Sequence, residues 1–503
     1  MSNNPVLQSI LDDIEEAPNG PSVAAIFDYD GTLIHGYSAV AFLREQIMSG
    51  AMSPREMRDQ FTAVRKFASG KAGFSALMDA TAGSMRGRSE EWFSEFGEKV
   101  YRKSIAGSIY PEARAIVAAH RRKGHTLAII SSATKYQIQP VADDLGFDNV
   151  LCTELEVKNG VFTGKAVHPT CFGEGKRMAA EALSYDTGVD LDESFFYTDS
   201  DDDLALLDVI GRPRILNANT KLKRIARQRG WNSYKFSSRG RPDLQTMMRM
   251  ALAYYAMPAS FALTSPILAL TGNKRAMLNV AGGLWADYAT AITGVELDVD
   301  GEENLWAERP AVFVFNHQSS LDALILPKLL RRDFTGVGKK EIARFPVIGQ
   351  IMQFADVVLI DRKNTKKAID AMRPVVDAIK NDGLSVSISP EGTRSVSTKL
   401  GKFKKGPFHI AMQAGVPMVP VVIHNATDSM PRGAHIARPA KIRVSVLSPV
   451  DTSDWSADTI DAHVESVRNM FLDALNQGAP ETNDEISLDH WDIPDEKKRD
   501  AAE

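Results

Sequence analysis

VAAIFDYDGTLI, residues 23 to 34, decides the reading of the first half of the chain. A short apolar run without helical periodicity stops abruptly at acidic and small residues, which is the pattern of a parallel strand buried on both faces. Asp28 and Asp30 then stand at the carboxyl end of that strand, where open α/β sheets place their ligands. The pattern returns in TLAIISSAT (126 to 134) and in FFYTDSDDDLALL (195 to 207). Between the first two runs, residues 37 to 105 carry amphipathic stretches such as SPREMRDQFTAVRKFASG and no strand signal, so a helical cap is expected there. LEVKNGVFTGKAV, centred on Asn159-Gly160, predicts a hairpin with a type I′ turn. The first unit is therefore read as an α/β, doubly wound domain over residues 21 to 240, after an N-terminal tail over 1 to 20.

Two carboxylates two residues apart are weak evidence alone, because acids so spaced often sit in a solvated turn. Further chemistry-bearing residues follow in consistent order: Ser131 after the second strand, Lys176 in FGEGKRMA, and Asp199 and Asp203 in YTDSDDDL. A carboxylate that attacks a phosphoryl group meets repulsion, which a divalent cation and a lysine must offset. Asp28 is the candidate nucleophile and Asp30 the acid that protonates the leaving alcohol, then activates water. Asp28, Asp30 (through its main-chain carbonyl), Asp199 and Asp203 form the candidate Mg²⁺ set. Ser131 and Lys176 are the candidate partners of the remaining phosphoryl oxygens. These motifs resemble the haloacid dehalogenase superfamily, in its phosphoserine phosphatase-like branch with a helical cap. Ser132-Ala133 stands where that branch commonly has a glycine pair, which bears on the substrate rather than the chemistry.

No charged residue occurs from Met250 to Asn273, a length that could cross a bilayer. Pro258 and Pro266 are expected to interrupt it, and Asp287 breaks the following apolar run. Residues 241 to 295 are therefore read as an amphipathic helical hairpin set into one leaflet, the alternatives being a spanning segment or helices packed on protein.

After Val295 a second α/β pattern begins, with strand-like runs at 311 to 315, 356 to 360, 384 to 388 and 416 to 423. In VFNHQSSLDAL the spacing lets Asp322 reach one imidazole nitrogen of His317, fixing its tautomer, so that His317 can deprotonate an alcohol attacking a thioester. GKKEIARFPVIG (338 to 349), VVLIDRK (357 to 363), SPEGTRS (389 to 395), KFKKGPFHIA (402 to 411) and VPMVPV (416 to 421) follow in order. The series resembles the glycerolipid acyltransferase family. That resemblance implies acyl transfer from acyl-coenzyme A or acyl carrier protein to 1-acylglycerol 3-phosphate or glycerol 3-phosphate. It also implies that His317 and Asp322 are the catalytic pair. Glu391, Gly392, Thr393 and Arg394 would hold the acceptor phosphate, with Lys339, Lys340 and Arg362 extending the clamp. Ser389 in place of a usual Phe, and Ala355-Asp356 in place of a glycine turn, bear on acceptor and acyl-chain preference.

At 503 residues, 44% apolar and 24% charged, the chain has room for two catalytic domains and excludes a disordered or fibrous class. Its net charge of -5 is uneven: residues 321 to 410 hold 17 Lys and Arg against 9 Asp and Glu, which suits phosphate groups or anionic headgroups. The acyltransferase-like domain is placed at 296 to 477, with an acidic tail at 478 to 503. Two cysteines and no charged-then-apolar leader predict a reducing, cytoplasmic setting, and with the apolar hairpin the chain is expected at the cytoplasmic face of the cell membrane; no nucleic-acid partner is expected. The order of the units points to one phospholipid pathway, in which the first unit is either a second enzyme or a regulatory module.

Overall fold

The computed structural model describes residues 5–344, 348–360, 365–395 and 398–477. In the first unit the strands are β1 (Ala24–Phe27), β2 (Thr126–Thr134), β3 (Asn149–Thr153), β4 (Leu155–Lys158), β5 (Val161–Ala166), β6 (Phe195–Thr198), β7 (Arg212–Leu216) and β8 (Asn232–Tyr234). Six of them form a parallel sheet in the order β3-β2-β1-β6-β7-β8, while β4 and β5 pair separately as an antiparallel hairpin. Period-two alternation explains why β1 lies mid-sheet: Ala25 and Phe27 enter the core on one face, Ala24 and Ile26 the core on the other. Full burial of each large side chain contributes roughly 1.5–3 kcal/mol. Asn159 and Gly160 join β4 to β5 with φ of 53° and 73°, the left-handed pair that a type I′ turn requires.

The cap consists of helices Ser38–Met48, Pro54–Ala68, Phe74–Met85 and Glu90–Val100. Helix Pro54–Ala68 starts with a reciprocal cap, in which Ser53 Oγ accepts from the Glu56 N–H and Glu56 Oε2 accepts from the Ser53 N–H. The tail expected over residues 1 to 20 is instead largely a helix, Pro5–Glu15, that buries Leu7, Ile10 and Ile14 in the first core. Spacings of three and four put those side chains on one helical face.

Between the units, helices Leu244–Thr271 and Lys274–Thr293 form the expected hairpin. Gly272, at φ 66°, ends the first, and the Asn273 side chain accepts the Ala276 N–H to begin the second. Contrary to expectation, Pro258 and Pro266 do not interrupt the first helix. At Pro266 the carbonyl left without an amide partner, that of Ala262, accepts from Ser265 Oγ at 2.8 Å, which offsets the loss. Among the described residues no helix is long and apolar enough to cross a membrane.

The second unit holds β9 (Val295–Asp300), β10 (Val312–Phe315), β11 (Phe334–Lys339), β12 (Val358–Ile360), β13 (Ser385–Ile388), β14 (Met418–Ile423) and β15 (Ala440–Val446). They form one sheet in the order β12-β11-β13-β10-β14-β15-β9, in which β14 and β15 are antiparallel and the other pairs parallel. Along β10, Phe313 and Phe315 face one core and Val312 and Val314 the other. The acidic tail from residue 478 lies outside the described residues.

Two candidate catalytic sites

At the end of β1, the strand geometry turns Asp28 into a site that is nearly closed to solvent. Asp28 is 6% exposed, its Oδ1 lies 2.9 Å from Lys176 Nζ, and it also accepts the Tyr29 N–H at 2.7 Å. Lys176 Nζ in turn lies 2.8 Å from Asp203 Oδ1, and Asp203 Oδ2 accepts from Thr198 Oγ1 at 2.6 Å. Burial by itself would lower the lysine pKa, but Asp203 and Asp28 outweigh it and hold Lys176 above its ordinary value. Both Asp203 oxygens lie within 2.9 Å of Lys176 Nζ, which holds the lysine in place from close beside Asp28.

Asp30 accepts from Ser38 twice, from the N–H at 2.7 Å and from Oγ at 3.0 Å. Burial, with Asp28 adding to it, raises its pKa to about 7 despite those bonds, which suits a group that must give and take a proton near neutrality. Asp199 follows β6, and its carboxylate lies directly over Gly31: a Cβ there would fall 2.2 Å from Asp199 Oδ2. Burial, then Asp28 and Asp203, push Asp199 up to about 8. Ser131, buried at the end of the apolar part of β2, points its Oγ toward its own loop and accepts from the Ala133 N–H at 3.3 Å.

Among the described residues, no group of three or more His, Cys, Asp or Glu side chains is arranged to hold a metal. Near Asp28 the carboxylate of Asp199 is the other acid that faces this end of the sheet, and Asp28 contributes to its raised pKa. Asp28, Asp30, Asp199 and Asp203 are gathered near Lys176, and the raised pKa values of Asp30 and Asp199 reflect burial beside like charge, which a divalent ion would relieve.

The second site opens where β10 ends. Asn316 is locked to β14, donating to the Ile423 carbonyl at 2.8 Å and accepting the Ile423 N–H at 2.7 Å, so the backbone of His317 is fixed before its side chain is. His317 Nδ1 lies 2.6 Å from Asp322 Oδ2. That oxygen also accepts the N–H groups of Gln318 and Ser319, each at 3.1 Å, and Asp322 is fully buried. Nδ1 therefore carries the proton and Nε2 has the free lone pair.

The EGTRS segment grips His317 from both sides. Glu391 Oε1 accepts the His317 N–H at 2.7 Å and Oε2 accepts the Gly401 N–H at 3.1 Å, while the Ser395 N–H donates to the His317 carbonyl at 2.7 Å. Each Glu391 oxygen thus accepts a backbone amide, which ties Glu391 to the His317 backbone. A buried carboxylate must accept hydrogen bonds, and two amides supply them. Arg394 donates through Nη1 to Ser320 Oγ, which puts its guanidinium beside the histidine loop. Gly392 has φ 72°, and the Lys404 side chain lies over it, 3.1 to 3.4 Å from where a Cβ would be. Thr393 is exposed. Lys339 ends β11 and Lys340 begins the following turn, at the same sheet end as His317 but two strands away. Arg362 lies outside the described residues.

Sequence reasoning did not assign Asn316, Ser320 or Lys404. Asn316 and Ser320 flank the histidine within the quoted motif and Lys404 is in KFKKG, so the signal was proximity without a stated role. In each half, residues far apart in sequence meet at the carboxyl ends of central strands, a constellation of a buried acid, a proton carrier and a cation.

A haloacid dehalogenase-like hydrolase model matches residues 25–208, and an acyltransferase model matches residues 296–424. A 1-acyl-sn-glycerol-3-phosphate acyltransferase of Limnanthes alba is 32% identical over 194 residues, covering 39% of this chain and 68% of that protein. The alpha form from Homo sapiens is 30% identical over 215 residues, covering 43% of this chain and 76% of that protein. Two solved structures are also similar. The 1-acyl-sn-glycerophosphate acyltransferase of Thermotoga maritima has a TM-score of 0.40 and 20% identity, covering 47% of this chain and 99% of that one. A phosphoserine phosphatase in a phospho-aspartyl intermediate analogue form has a TM-score of 0.33 and 19% identity, covering 41% and 90%.

Proposed function

We propose a reaction for each site from one premise: the chain belongs to the acyltransferase family that includes the 1-acyl-sn-glycerol-3-phosphate acyltransferases, and it carries a haloacid dehalogenase-like hydrolase unit ahead of that domain. In the second unit, His317 Nε2 takes the proton of the free hydroxyl of 1-acylglycerol 3-phosphate while that oxygen attacks the thioester carbonyl of acyl-coenzyme A or acyl carrier protein. The carbon–sulfur bond breaks, the imidazolium returns its proton to the thiolate, and phosphatidate leaves. Asp322 stabilises the imidazolium in between, and Arg394 is placed to pair with the acceptor phosphate by parallel N–H bonds. The observation that carries this reading is the 2.6 Å contact between His317 and a fully buried Asp322, with Arg394 tied to Ser320 in the same loop.

In the first unit, Asp28 attacks a phosphomonoester, the ester oxygen departs with the Asp30 proton, and Asp30 then deprotonates the water that cleaves the Asp28 phosphoryl bond. Lys176, held by Asp203, meets the phosphoryl oxygens with Ser131. Mg²⁺ bound by Asp28, Asp199 and the Asp30 carbonyl would supply charge neutralisation of the phosphoryl group. The substrate is a glycerol phosphate related to the acyl acceptor, a link that rests on the covalent joining of the two units.

The chain works at the cytoplasmic face of the cell membrane, held there by the hairpin. Leu252, Tyr255, Leu263 and Leu270 on its first helix are 55%, 70%, 67% and 85% exposed, an apolar band that water disfavours and a leaflet accepts.

The test is a pair of variants of the full chain, assayed with 1-acylglycerol 3-phosphate, acyl-coenzyme A and magnesium. Asp28→Asn should abolish phosphate release and leave acyl transfer intact, and His317→Ala should do the reverse. Phosphate release unchanged in Asp28→Asn would reduce the first unit to a regulatory module; acyl transfer surviving His317→Ala would remove the second mechanism.

A further inference from the structure

Consecutive residues at the start of the helix Lys135–Leu145 hold the cap of the first unit at both of its ends. Lys135 Nζ and Tyr136 Oη reach Glu90 Oε1, at 2.7 and 2.9 Å, where the cap helix Glu90–Val100 begins. Gly97 of that helix lies so close to the Tyr136 carbonyl that no Cβ could be placed there. Gln137 Nε2 donates to Ser38 Oγ at 3.0 Å, and Ser38 is the first residue of the first cap helix, Ser38–Met48. The Gln137 carbonyl accepts from Tyr29 Oη at 2.8 Å, so the same residue also holds the chain between Asp28 and Asp30.

The direction of each bond in this array follows from the groups that make it. A main-chain N–H can only donate, so the Thr134 N–H, 3.0 Å from the Gln137 carboxamide, identifies the facing atom as its oxygen, to which Thr134 Oγ1 also donates at 3.0 Å. The other end of the carboxamide, its NH₂ group, therefore faces Ser38 Oγ. A hydroxyl has one proton, and with Gln137 donating to it, Ser38 directs that proton to Asp30 Oδ2 at 3.0 Å. The Ser38 N–H belongs to the first turn of its helix, where amides lack intrahelical acceptors, and it donates to Asp30 Oδ1 at 2.7 Å. Ser38 is 1% exposed, so water competes little for either bond. Both Asp30 oxygens are thus held by directed donors, which fixes the plane of the carboxyl group and leaves a further lone pair on each oxygen.

We propose that Ser38 and Gln137 are positioning residues of the phosphatase reaction: Gln137 sets the Ser38 hydroxyl, and Ser38 sets the Asp30 carboxyl so that its proton meets the ester oxygen. The phosphorus–oxygen ester bond breaks as Asp28 takes the phosphoryl group and the alcohol leaves with that proton, which Asp30 recovers from the attacking water in the second step. This rests on the phosphatase reading above and deepens it, since it assigns the acid's orientation to a strap between the cap and the helix that follows β2. An aliphatic alkoxide is a strong base and needs the proton as it departs, whereas p-nitrophenolate is a far weaker base and leaves without it. A misaligned Asp30 is therefore felt in proportion to the basicity of the leaving group.

The test measures kcat/KM for phosphate release by the full chain with magnesium, on glycerol 3-phosphate, phenyl phosphate and p-nitrophenyl phosphate, for Ser38→Ala, Ser38→Thr and Gln137→Glu. This ratio covers the steps up to transfer onto Asp28, so the later use of Asp30 as a base does not enter it. Ser38→Ala should lower it about thirtyfold on glycerol 3-phosphate, by an intermediate factor on phenyl phosphate, and by no more than about threefold on p-nitrophenyl phosphate. Ser38→Thr keeps the hydroxyl and should recover part of the loss. Gln137→Glu keeps the shape but accepts where glutamine donates, which turns the Ser38 proton away from Asp30 and should reproduce the Ser38→Ala pattern. Thermal melting of each variant followed by circular dichroism shows that it is folded, and the isosteric Gln137→Glu carries the test if Ser38→Ala is not. Equal losses on all the substrates, or a Gln137→Glu variant that matches wild type, overturn the proposal and leave the phosphatase reading standing. A wild-type chain that releases phosphate from none of them overturns both.

Discussion

Glu391 shows how far one side chain's environment sets its use. Its two oxygens accept backbone amides of His317 and Gly401, yet burial raises its pKa to about 7, with the amide bonds working against the rise. Because the folded form keeps its proton to higher pH than the unfolded chain, the folded state binds more protons between about 4.5 and about 7, and stability falls as pH rises through that window. The cost at neutral pH is on the order of 3 kcal/mol at most. Unfolding of the acyltransferase unit followed by intrinsic fluorescence should therefore show a midpoint that declines from pH 5 to pH 7. Glu391→Gln should flatten that decline, and a Gln variant with the same slope as wild type would place the titration elsewhere. The motif around Glu391 was legible as a motif, but its role was not. Sequence spacing shows that an acid precedes Gly392, and only the fold shows that its carboxylate turns inward to the histidine backbone.

Elements were legible where their burial was uniform. β1, β10 and β14 are buried along their whole length and appear in sequence as unbroken apolar runs. The edge strands β3 and β9 were missed because one side faces water: β3 is only partly buried, and β9, VELDVD, alternates apolar with acidic residues in a short period-two pattern. The helix Pro5–Glu15 was passed over as a tail although Leu7, Ile10 and Ile14 carry the helical repeat. The hairpin was legible as a hairpin, but its prolines were over-weighted, since hydroxyl-to-carbonyl bonds such as that of Ser265 offset the missing amide. Its exposed band yields a prediction at this scale. Leu263→Glu with Leu270→Glu, at positions 67% and 85% exposed, removes no buried contact, so the variant should fold with an unchanged melting temperature. It should nonetheless fail to float with anionic phospholipid vesicles, whereas wild type should float even in high salt. Flotation of wild type that salt abolishes would show an electrostatic attachment and sink the embedded hairpin.

At the scale of the whole molecule, the order of motifs revealed two units but nothing about their seam, because its residues lie far apart in sequence and the bonds of Arg239 and Arg438 join side chains to backbone carbonyls, which leaves no pattern in a sequence. Arg239 is the strongest case. Its guanidinium is buried enough for its pKa to fall to about 10, with Asp428 opposing the fall, and two of its nitrogens reach the Thr427 and Asp428 carbonyls. Arg239→Ala would remove the Arg239 bonds to those two partly buried carbonyls, a loss on the order of 1 kcal/mol for each. The segment they anchor leads to Met430, whose carbonyl accepts from Ser319 beside the catalytic histidine. Asp28, Lys176 and Asp203 are held by their own contacts around β1 and β6. Loosening the seam should therefore act unequally: Arg239→Ala should lower the melting temperature by a few degrees and cut acyl-transfer kcat/KM severalfold, while phosphate release at the Asp28 site stays within twofold. Parallel assays of the two reactions on one preparation check this, since any global misfolding would lower both together, and an equal fall in both rates would mean that the seam supports the molecule as a whole and not the acyl-transfer loop in particular.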